Sequence, residues 1–211
     1  MTVSRKERRR HLREQRAAAG FPAPPPAPPT LTTIRPMTIN QSRVFKEFNR
    51  GKHLLIHGYA GTGKSFLSLY LALHEILENH AYKRVIIVRS AVPSRTQGFL
   101  PGTEEEKAAV YESAYTAIVD DLFAKGGAYR RLKDQKVIEF TTTSYLRGLT
   151  IDDAIVIIDE VQNMVDGEIN TVMTRVGQNS RVIICGDFRQ NDLVGKREES
   201  CIRSLMDTCL L

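Results

Sequence analysis

The stretch Gly58-Tyr59-Ala60-Gly61-Thr62-Gly63-Lys64-Ser65 decides the fold, because it fills the pattern GxxxxGK[ST]. In this pattern Gly61 and Gly63 let the backbone curl, so that its N–H groups form a concave anion site at the N-terminus of a helix. Lys64 is placed to reach the β- and γ-phosphates of a nucleotide, and the Ser65 hydroxyl to bind Mg²⁺. Residues 58–65 therefore predict a binding site for ATP or GTP.

The flanking sequence supplies the strand and the helix that such a loop needs. A short apolar run predicts a strand over residues 53–57. A helix is predicted over residues 66–79 by apolar residues at helical spacing, namely Phe66, Leu67, Leu69, Tyr70, Leu73, Ile76 and Leu77. The alternative is a glycine-rich turn that matches by chance, and this context disfavours it.

A second signal is the apolar run Ala154–Ile158, which leads directly into Asp159 and Glu160. Such a run is typical of a central parallel strand, and ligands bind at the carboxyl ends of these strands. We therefore expect Asp159 beside the phosphate loop, where it would bind Mg²⁺ directly or through water. Glu160 would activate or orient the water that attacks the γ-phosphate, which favours hydrolysis over kinase chemistry. The alternative is a strand that ends in a solvated acid pair.

A third apolar run, residues 181–185, predicts another strand, and Gln190 lies in the polar loop that follows it. An amide can hydrogen-bond both the γ-phosphate and the attacking water, so Gln190 is a candidate sensor of hydrolysis. An ordinary polar turn is the alternative. Because strands alternate with helices, the sequence predicts one three-layer α/β domain with a mainly parallel sheet.

Residues 91–136, which precede the strands that lead to Asp159, form a longer and more polar segment. It contains a loop with Arg95 and Phe99, which offer charge and a stacking face to a nucleic-acid strand. A mixed helical stretch is predicted over residues 104–123, a break at Gly126-Gly127, and a strand over residues 137–143. A surface excursion without function is the alternative for this segment.

Taken together, seven blocks of sequence resemble the successive motifs of the phosphate-starvation-inducible PhoH-like ATPases. They are Pro36-Met37-Thr38-Ile39-Asn40-Gln41, the phosphate loop, Val88-Arg89-Ser90-Ala91-Val92, Gly98-Phe99-Leu100-Pro101-Gly102, Tyr145-Leu146-Arg147-Gly148, Asp159-Glu160-Val161-Gln162-Asn163 and Gly186-Asp187-Phe188-Arg189-Gln190. The resemblance covers about residues 35–200, and the block Arg89-Ser90-Ala91-Val92 is closest to the bacteriophage branch. The resemblance implies a single RecA-like domain, related to the motor cores of superfamily 1 helicases, that binds and hydrolyses ATP.

The resemblance also implies roles for single residues. Gln41 is similar to the family's adenine-reading glutamine, although its spacing from Thr38 is also that of a local capping box. Arg89 and Arg147 are similar to arginines at the sheet's carboxyl edge that meet phosphate or nucleic acid, with solvated surface arginines as the alternative. In relatives a helix, a further strand and an arginine-bearing segment follow Gln190. The chain stops within the expected helix, so we expect a final strand to be missing.

Charge is concentrated at the N-terminus. Residues 1–16 contain seven basic and two acidic side chains, which gives +5 of the chain's formal net charge of +6. Proline dominates the stretch that follows, so we expect a basic disordered arm over residues 1–19, a Pro-rich linker over residues 20–35 and the ATPase domain over residues 36–211. The arm suits single-stranded RNA or another nucleic acid, and a solubilising tail is the alternative.

Composition limits the remaining classes. A chain of 211 residues, 42% hydrophobic, can bury one sizeable core. It has no apolar stretch of membrane-spanning length, and its three cysteines form no close pair. We therefore expect a soluble, cytoplasmic protein, in the host bacterial cytoplasm if it is phage-encoded, with no membrane partner and no zinc.

The sequence thus predicts a helicase-like ATP hydrolase with ATP and Mg²⁺ as cofactors. A homo-oligomer would supply a second face and an arginine in trans, because one domain alone does not make the two-domain motor of superfamily 1. The alternatives are a P-loop kinase and an ATP-binding regulatory or RNA-binding module with little turnover. A nuclease is disfavoured because the chain has no room for a separate acidic domain.

Overall fold

A computed structural model describes residues 30–90, 104–124, 126–146 and 148–187, and of residues 104–107 the backbone alone. The elements follow in the order α1 (Ile39–Asn49), β1 (Leu54–His57), α2 (Lys64–Leu77), β2 (Arg84–Arg89), α3 (Glu104–Leu122), α4 (Ala128–Asp134), β3 (Ile138–Thr142), a 3-10 turn (Thr143–Leu146), β4 (Ala154–Ile158), a 3-10 turn (Val161–Asn163), α5 (Asp166–Met173) and β5 (Arg181–Gly186). The arm, most of the linker and residues 188–211 lie outside the described residues.

The sheet has five strands in the order β1-β5-β4-β2-β3. Every pairing among these strands is parallel, and the register sets Ile157 opposite both Ile87 and Ile183. Parallel strands end at one common edge, so the residues that follow β1, β2, β4 and β5 are brought together there. This confirms the predicted parallel α/β sheet and places the loop after β1 near the acids after β4, with β5 between them.

Two separate cores lie on the two faces of the sheet. In β4 all five residues are buried, and alternate side chains enter opposite cores. Ile155 and Ile157 pack with residues of α1, α2, α3 and α4. Val156 and Ile158 pack with α5 and the 3-10 turns. The domain therefore has the predicted three layers, with a parallel sheet between two layers of helices.

Element boundaries differ from the sequence expectations by small amounts. The helix after the phosphate loop begins at Lys64 and ends at Leu77, earlier at both ends than predicted. The predicted break at Gly126-Gly127 is confirmed, since the preceding helix ends at Leu122 and Gly127 has φ 79°. Helices α1, α4 and α5 were not predicted as elements. Helices α4 and α5 have only seven and eight residues, and for α1 only a local cap at Thr38 was considered.

The packed domain begins earlier in the chain than residue 36. Leu31 is buried in the core of α1 to α4, and Ile34 packs against that core. The Thr32 amide donates to the carbonyl of Leu122 at 2.8 Å. Residues 31–34, which the sequence analysis placed in the linker, therefore contribute to packing. Among the described residues, no helix is long and apolar enough to cross a membrane.

One buried arginine joins three elements at the opposite edge of the sheet. Arg181, the first residue of β5, is 4% exposed, and burial lowers the pKa of its guanidinium. Its Nε donates to the Lys52 carbonyl at 2.8 Å, and Nη2 donates to the Phe48 carbonyl. The guanidinium carbon lies 3.7 Å from the centre of the Phe48 ring. Arg181 therefore holds the end of α1 and the start of β1 against β5.

Arg181→Met should lower the free energy of unfolding by about 2–3 kcal/mol, because charged hydrogen bonds to two carbonyls, one of them buried, are lost while the apolar stem remains. Urea denaturation followed by circular dichroism measures this change. Arg50→Met is the matched control, since Arg50 makes an exposed ion pair with Glu47 that contributes about 0.5 kcal/mol. Equal stabilities of the two variants would contradict the anchoring role of Arg181.

Candidate functional site

The phosphate loop adopts the curled backbone that its sequence predicts. Gly61 has φ 77° and Gly63 has φ 83°, a region that side-chain-bearing residues rarely adopt. Gly63 directly precedes the first residue of α2, and the Thr62 hydroxyl donates to the carbonyl of Tyr59 at 2.8 Å. The loop therefore joins β1 to the N-terminus of α2, where the first amides of the helix and the helix dipole favour an anion.

The Lys64 ammonium lies over the loop itself. Its Nζ donates to the carbonyls of Gly58 and Tyr59 at 2.8 and 2.9 Å. The loop is also tied to β5, because the Gly58 amide donates to the carbonyl of Gly186 at 3.3 Å. A positive charge is thus placed at the loop that would hold phosphates.

Ser65 and Asp159 are 94 positions apart in the chain and make direct contact. The Ser65 hydroxyl donates to Oδ2 of Asp159 at 2.8 Å, and Asp159 is 3% exposed. Position in the sheet explains this contact, since Asp159 directly follows β4 and Ser65 lies in the first turn of α2. A hydroxyl and a carboxylate are hard oxygen ligands, so the pair fits Mg²⁺.

A tyrosine that the sequence analysis did not identify completes this cluster. The Tyr115 hydroxyl, from α3, donates to the same Oδ2 of Asp159 at 2.9 Å. Burial raises the pKa of Tyr115, and the neighbouring Asp159 charge raises it further, so the phenol remains protonated. Helical spacing could have placed Tyr115 on the buried face of α3, but it gives no indication that this face meets Asp159.

Glu160 lies beside this cluster with an unusual backbone. Its φ is 54°, and its amide donates to Oδ1 of Asp159 at 3.1 Å. Gln162 Nε2 donates to the Glu160 carboxylate at 2.5 Å. Burial and the Asp159 charge raise the pKa of Glu160 above its ordinary value of 4.5, while Arg89, the Gln162 hydrogen bond and Lys64 oppose this. The carboxylate is therefore a stronger base than a solvated one.

Asp187 connects β5 to the loop and to the acid pair, which the sequence did not predict. Its Oδ2 accepts a hydrogen bond from the Ala60 amide at 3.0 Å. Its own amide donates to Oε1 of Gln162 at 3.0 Å. Gln162 therefore bridges Glu160 and Asp187, and the ends of β1, β4 and β5 form one hydrogen-bonded network. Gln162 and Asp187 appear in the motif blocks, but their partners are set by the sheet order.

Gln41 makes the local contacts of a helix start. Its amide donates to the Thr38 hydroxyl at 3.2 Å, and its Oε1 accepts from the Met37 amide at 2.7 Å. This is helix capping, the alternative that the spacing raised. The ring of Phe45 packs on Tyr70 at 5.8 Å, so α1 lies beside the helix that starts at the phosphate loop. Adenine recognition by Gln41 stays a prediction.

Of the other predicted site residues, only Arg89 lies within the described part of the chain. The Arg89 guanidinium lies 4.4 Å from the centre of the Tyr111 ring, and its charge acts on the pKa of Glu160. Arg89 is therefore part of the same edge. Gln190, Arg147, Arg95 and Phe99 lie outside the described residues, so their roles stay predictions. No group of three or more metal-ligating side chains occurs within the described ranges.

The strand, phosphate loop and helix, with an acid pair facing the loop across a parallel sheet, define a P-loop domain of the nucleoside triphosphatase class. Residues 33–210 match the family model described as PhoH-like protein. The chain therefore belongs to the PhoH-like family.

Curated relatives agree with this assignment. The PhoH-like protein of Bacillus subtilis is 37% identical over 163 residues, which cover 76% of this chain and 50% of that protein. A PhoH-like protein of Mycobacterium bovis is 36% identical over 169 residues, 77% of this chain and 46% of its own length. The chain thus spans about half the length of these relatives. The Pif1 helicase structure from Candida albicans aligns with 78% of this chain and 35% of its own length, at 19% sequence identity and a TM-score of 0.37.

Glu160→Gln should stabilise the protein in a pH-dependent way. Because the pKa of Glu160 is raised on folding, the native state binds more protons than the unfolded state above pH 4.5, and stability is lost as the pH rises through the folded-state pKa. The amide cannot ionise, yet its oxygen still accepts from Gln162. Urea unfolding of variant and wild type at pH 4 and pH 8 should show the larger stability gain at pH 8. A gain that is equal at both pH values, or larger at pH 4, would contradict a raised pKa.

Proposed function

We propose that this PhoH-like protein binds ATP with Mg²⁺ and hydrolyses it. The observation that carries the proposal is the 2.8 Å hydrogen bond between Ser65 and Asp159, with Glu160 as the next residue. It joins a phosphate-binding loop to a carboxylate pair, which are the two halves of a phosphoryl-transfer site. Hydrolysis is favoured over kinase chemistry because Glu160 is a half-buried carboxylate of raised pKa, suited to orient water.

The proposed nucleotide contacts begin with the loop, residues 58–65. Its backbone and the N-terminus of α2 bind the phosphates, and Lys64 turns from the carbonyls of Gly58 and Tyr59 to the β- and γ-phosphates. Gln41 is the candidate for adenine, which requires its side-chain amide to leave the Met37 N–H. These contacts bind ATP and set the γ-phosphate beside Asp159 and Glu160.

Ser65 and Asp159 are the residues that would hold Mg²⁺. The ion supplies charge neutralisation on the β- and γ-phosphates. The Ser65 hydroxyl donates a hydrogen bond to Asp159, which leaves the lone pairs of the Ser65 oxygen available for a cation. Asp159 accepts hydrogen bonds from the Ser65 hydroxyl, the Tyr115 hydroxyl and the Glu160 amide, and these hold its carboxylate beside Ser65.

Glu160 is the proposed general base. Its carboxylate accepts the proton of the attacking water, and Gln162 fixes one carboxylate oxygen. The left-handed backbone of Glu160 is a costly conformation of the kind that clusters at functional sites. Gln190, after β5, is the candidate that senses the γ-phosphate and orients the water.

Glu160→Gln should lower the rate of ATP hydrolysis by about 100-fold or more, because a general base typically contributes that factor. ATP affinity should change little, since the amide is similar in size and carries no charge to repel phosphate. Phosphate release with Mg²⁺ and equilibrium nucleotide binding measure the two quantities. Glu47→Gln, at the exposed partner of Arg50, is the matched control. Unchanged turnover in Glu160→Gln contradicts the assignment, and tight ATP binding without turnover in the wild type favours the regulatory alternative.

The second part of the proposal is association with single-stranded RNA or another nucleic acid. It is supported by charge, because residues 1–16 hold +5 of the formal net charge of +6. A basic arm neutralises phosphates and releases counterions, which makes binding dependent on salt. Nucleic acid bound through the arm would then stimulate ATP hydrolysis in a helicase-like manner.

Replacing Arg8, Arg9 and Arg10 together by Gln should weaken RNA binding at low salt. If each arginine meets one phosphate, the slope of log K against log salt should become shallower by about 2, at roughly 0.7 per contact on a single strand. Fluorescence anisotropy with labelled single-stranded RNA at several salt concentrations measures the slope. Arg43, Arg50 and Arg130 replaced together by Gln are a charge-matched control, and a slope change that is equal in both triple variants contradicts a role of the arm.

Three finer features belong to the same proposal. The block Arg89-Ser90-Ala91-Val92 indicates the bacteriophage branch, whereas the relatives described above are bacterial. A homo-oligomer would bring an arginine to the γ-phosphate in trans, which mass measurements with and without ATP can test. The proposed location is the bacterial cytoplasm, where ATP and RNA are both present.

A further inference from the structure

Tyr115 connects α3 to the acid that is the candidate Mg²⁺ ligand. Its hydroxyl donates to Oδ2 of Asp159 at 2.9 Å, and the residue is 2% exposed. We propose that Tyr115 is a positioning residue, which holds the Asp159 carboxylate in the orientation that lets Ser65 and Asp159 bind Mg²⁺ together. This inference rests on the proposed nucleotide and Mg²⁺ site and assigns it one further residue, from an element that carries none of the nucleotide motifs.

The hydrogen bonds of Asp159 show why this contact matters. Oδ2 accepts from both Ser65 and Tyr115, at 2.8 and 2.9 Å, and Oδ1 accepts from the Glu160 amide at 3.1 Å. A carboxylate can rotate about its bond to Cβ, so donors on both oxygens are needed to fix its plane. Tyr115 acts on the oxygen that Ser65 uses, and it therefore determines which oxygen faces the phosphate loop.

Packing alone does not require the hydroxyl of Tyr115. The ring packs against Phe140, with ring centres 5.6 Å apart, and a phenylalanine would fill the same space. A buried hydroxyl costs free energy unless it is hydrogen-bonded, and this one is bonded to a site carboxylate. A phenol carries its proton at neutral pH, so it can act as a hydrogen-bond donor there. The Tyr115 hydroxyl is therefore suited to be a fixed hydrogen-bond donor to the Asp159 carboxylate.

The same helix contacts the site a second time. Tyr111 lies one turn before Tyr115 in α3, and its ring lies under the Arg89 guanidinium at 4.4 Å. Arg89 in turn acts electrostatically on Glu160. The face of α3 that carries both tyrosines therefore supports the two acids that follow β4, one by a hydrogen bond and the other through Arg89. Outer partners of this kind orient metal ligands and change metal affinity when they are removed.

Tyr115→Phe in the full chain tests the proposal, with Tyr129→Phe as the matched control. Tyr129 is also buried, and its hydroxyl also donates to a carboxylate, that of Glu112 at 2.7 Å, which lies outside the proposed site. The melting temperature is measured in saturating ADP while Mg²⁺ is increased from zero. We expect the half-saturating Mg²⁺ concentration to rise by about 10- to 100-fold in Tyr115→Phe, as is typical when an outer partner of a metal ligand is lost. Tyr129→Phe should match the wild type.

A second comparison separates positioning from general stability. In an Asp159→Asn background, Tyr115→Phe should cause no further change in the Mg²⁺ dependence, because the hydroxyl acts through that carboxylate. The proposal is overturned if Tyr115→Phe and Tyr129→Phe show the same Mg²⁺ dependence, even where both lower the melting temperature without ADP. If wild-type protein shows no Mg²⁺-dependent stabilisation in ADP, the metal site and the role of Tyr115 fail together. A normal wild-type response with an unshifted Tyr115→Phe refutes Tyr115 alone.

Discussion

The contact between Ser65 and Asp159 is the constraint on which the site depends. It joins the first turn of α2 to the residue after β4, across the strand β5 that separates β1 from β4. Both residues reach this position because parallel strands end at one edge, and because the curled loop starts α2 at that same edge. The contact brings together two hard oxygen groups beside the phosphate loop, which is why the proposed Mg²⁺ site is assigned to them.

The two acids that follow β4 are not isolated, because a chain of hydrogen bonds connects them to the phosphate loop and to the end of β5. Gln162 links the Glu160 carboxylate to the amide of Asp187, and Asp187 accepts from the Ala60 amide in the phosphate loop. The phosphate loop is therefore in direct contact with the residues that follow β4 and β5. The pKa of Glu160 is raised by the packing around this network, which shields the carboxylate from water and places it beside the Asp159 charge.

Much of the fold could be predicted because its strongest signals are local. The apolar run of β4 was predicted at its observed bounds, and the curled loop follows from glycines at fixed spacing. Helix α5 was missed because only eight residues form it. Gln41 shows the limit of motif reasoning, since one spacing fits both a helix cap and an adenine contact. The structure has the cap, because Thr38 and Met37 are near in sequence and need no ligand.

The sequence by itself determined the phosphate loop, the acid pair, the alternating strands and helices, and membership of the PhoH-like family. These are properties of short segments, in which residue type and spacing fix backbone shape and polarity. Only the tertiary structure decided the strand order and the contacts across it, such as Tyr115 with Asp159 and Ala60 with Asp187, which are 44 and 127 positions apart. The physical reason is that such pairs form only when the sheet is assembled, and no local preference of either residue encodes its partner.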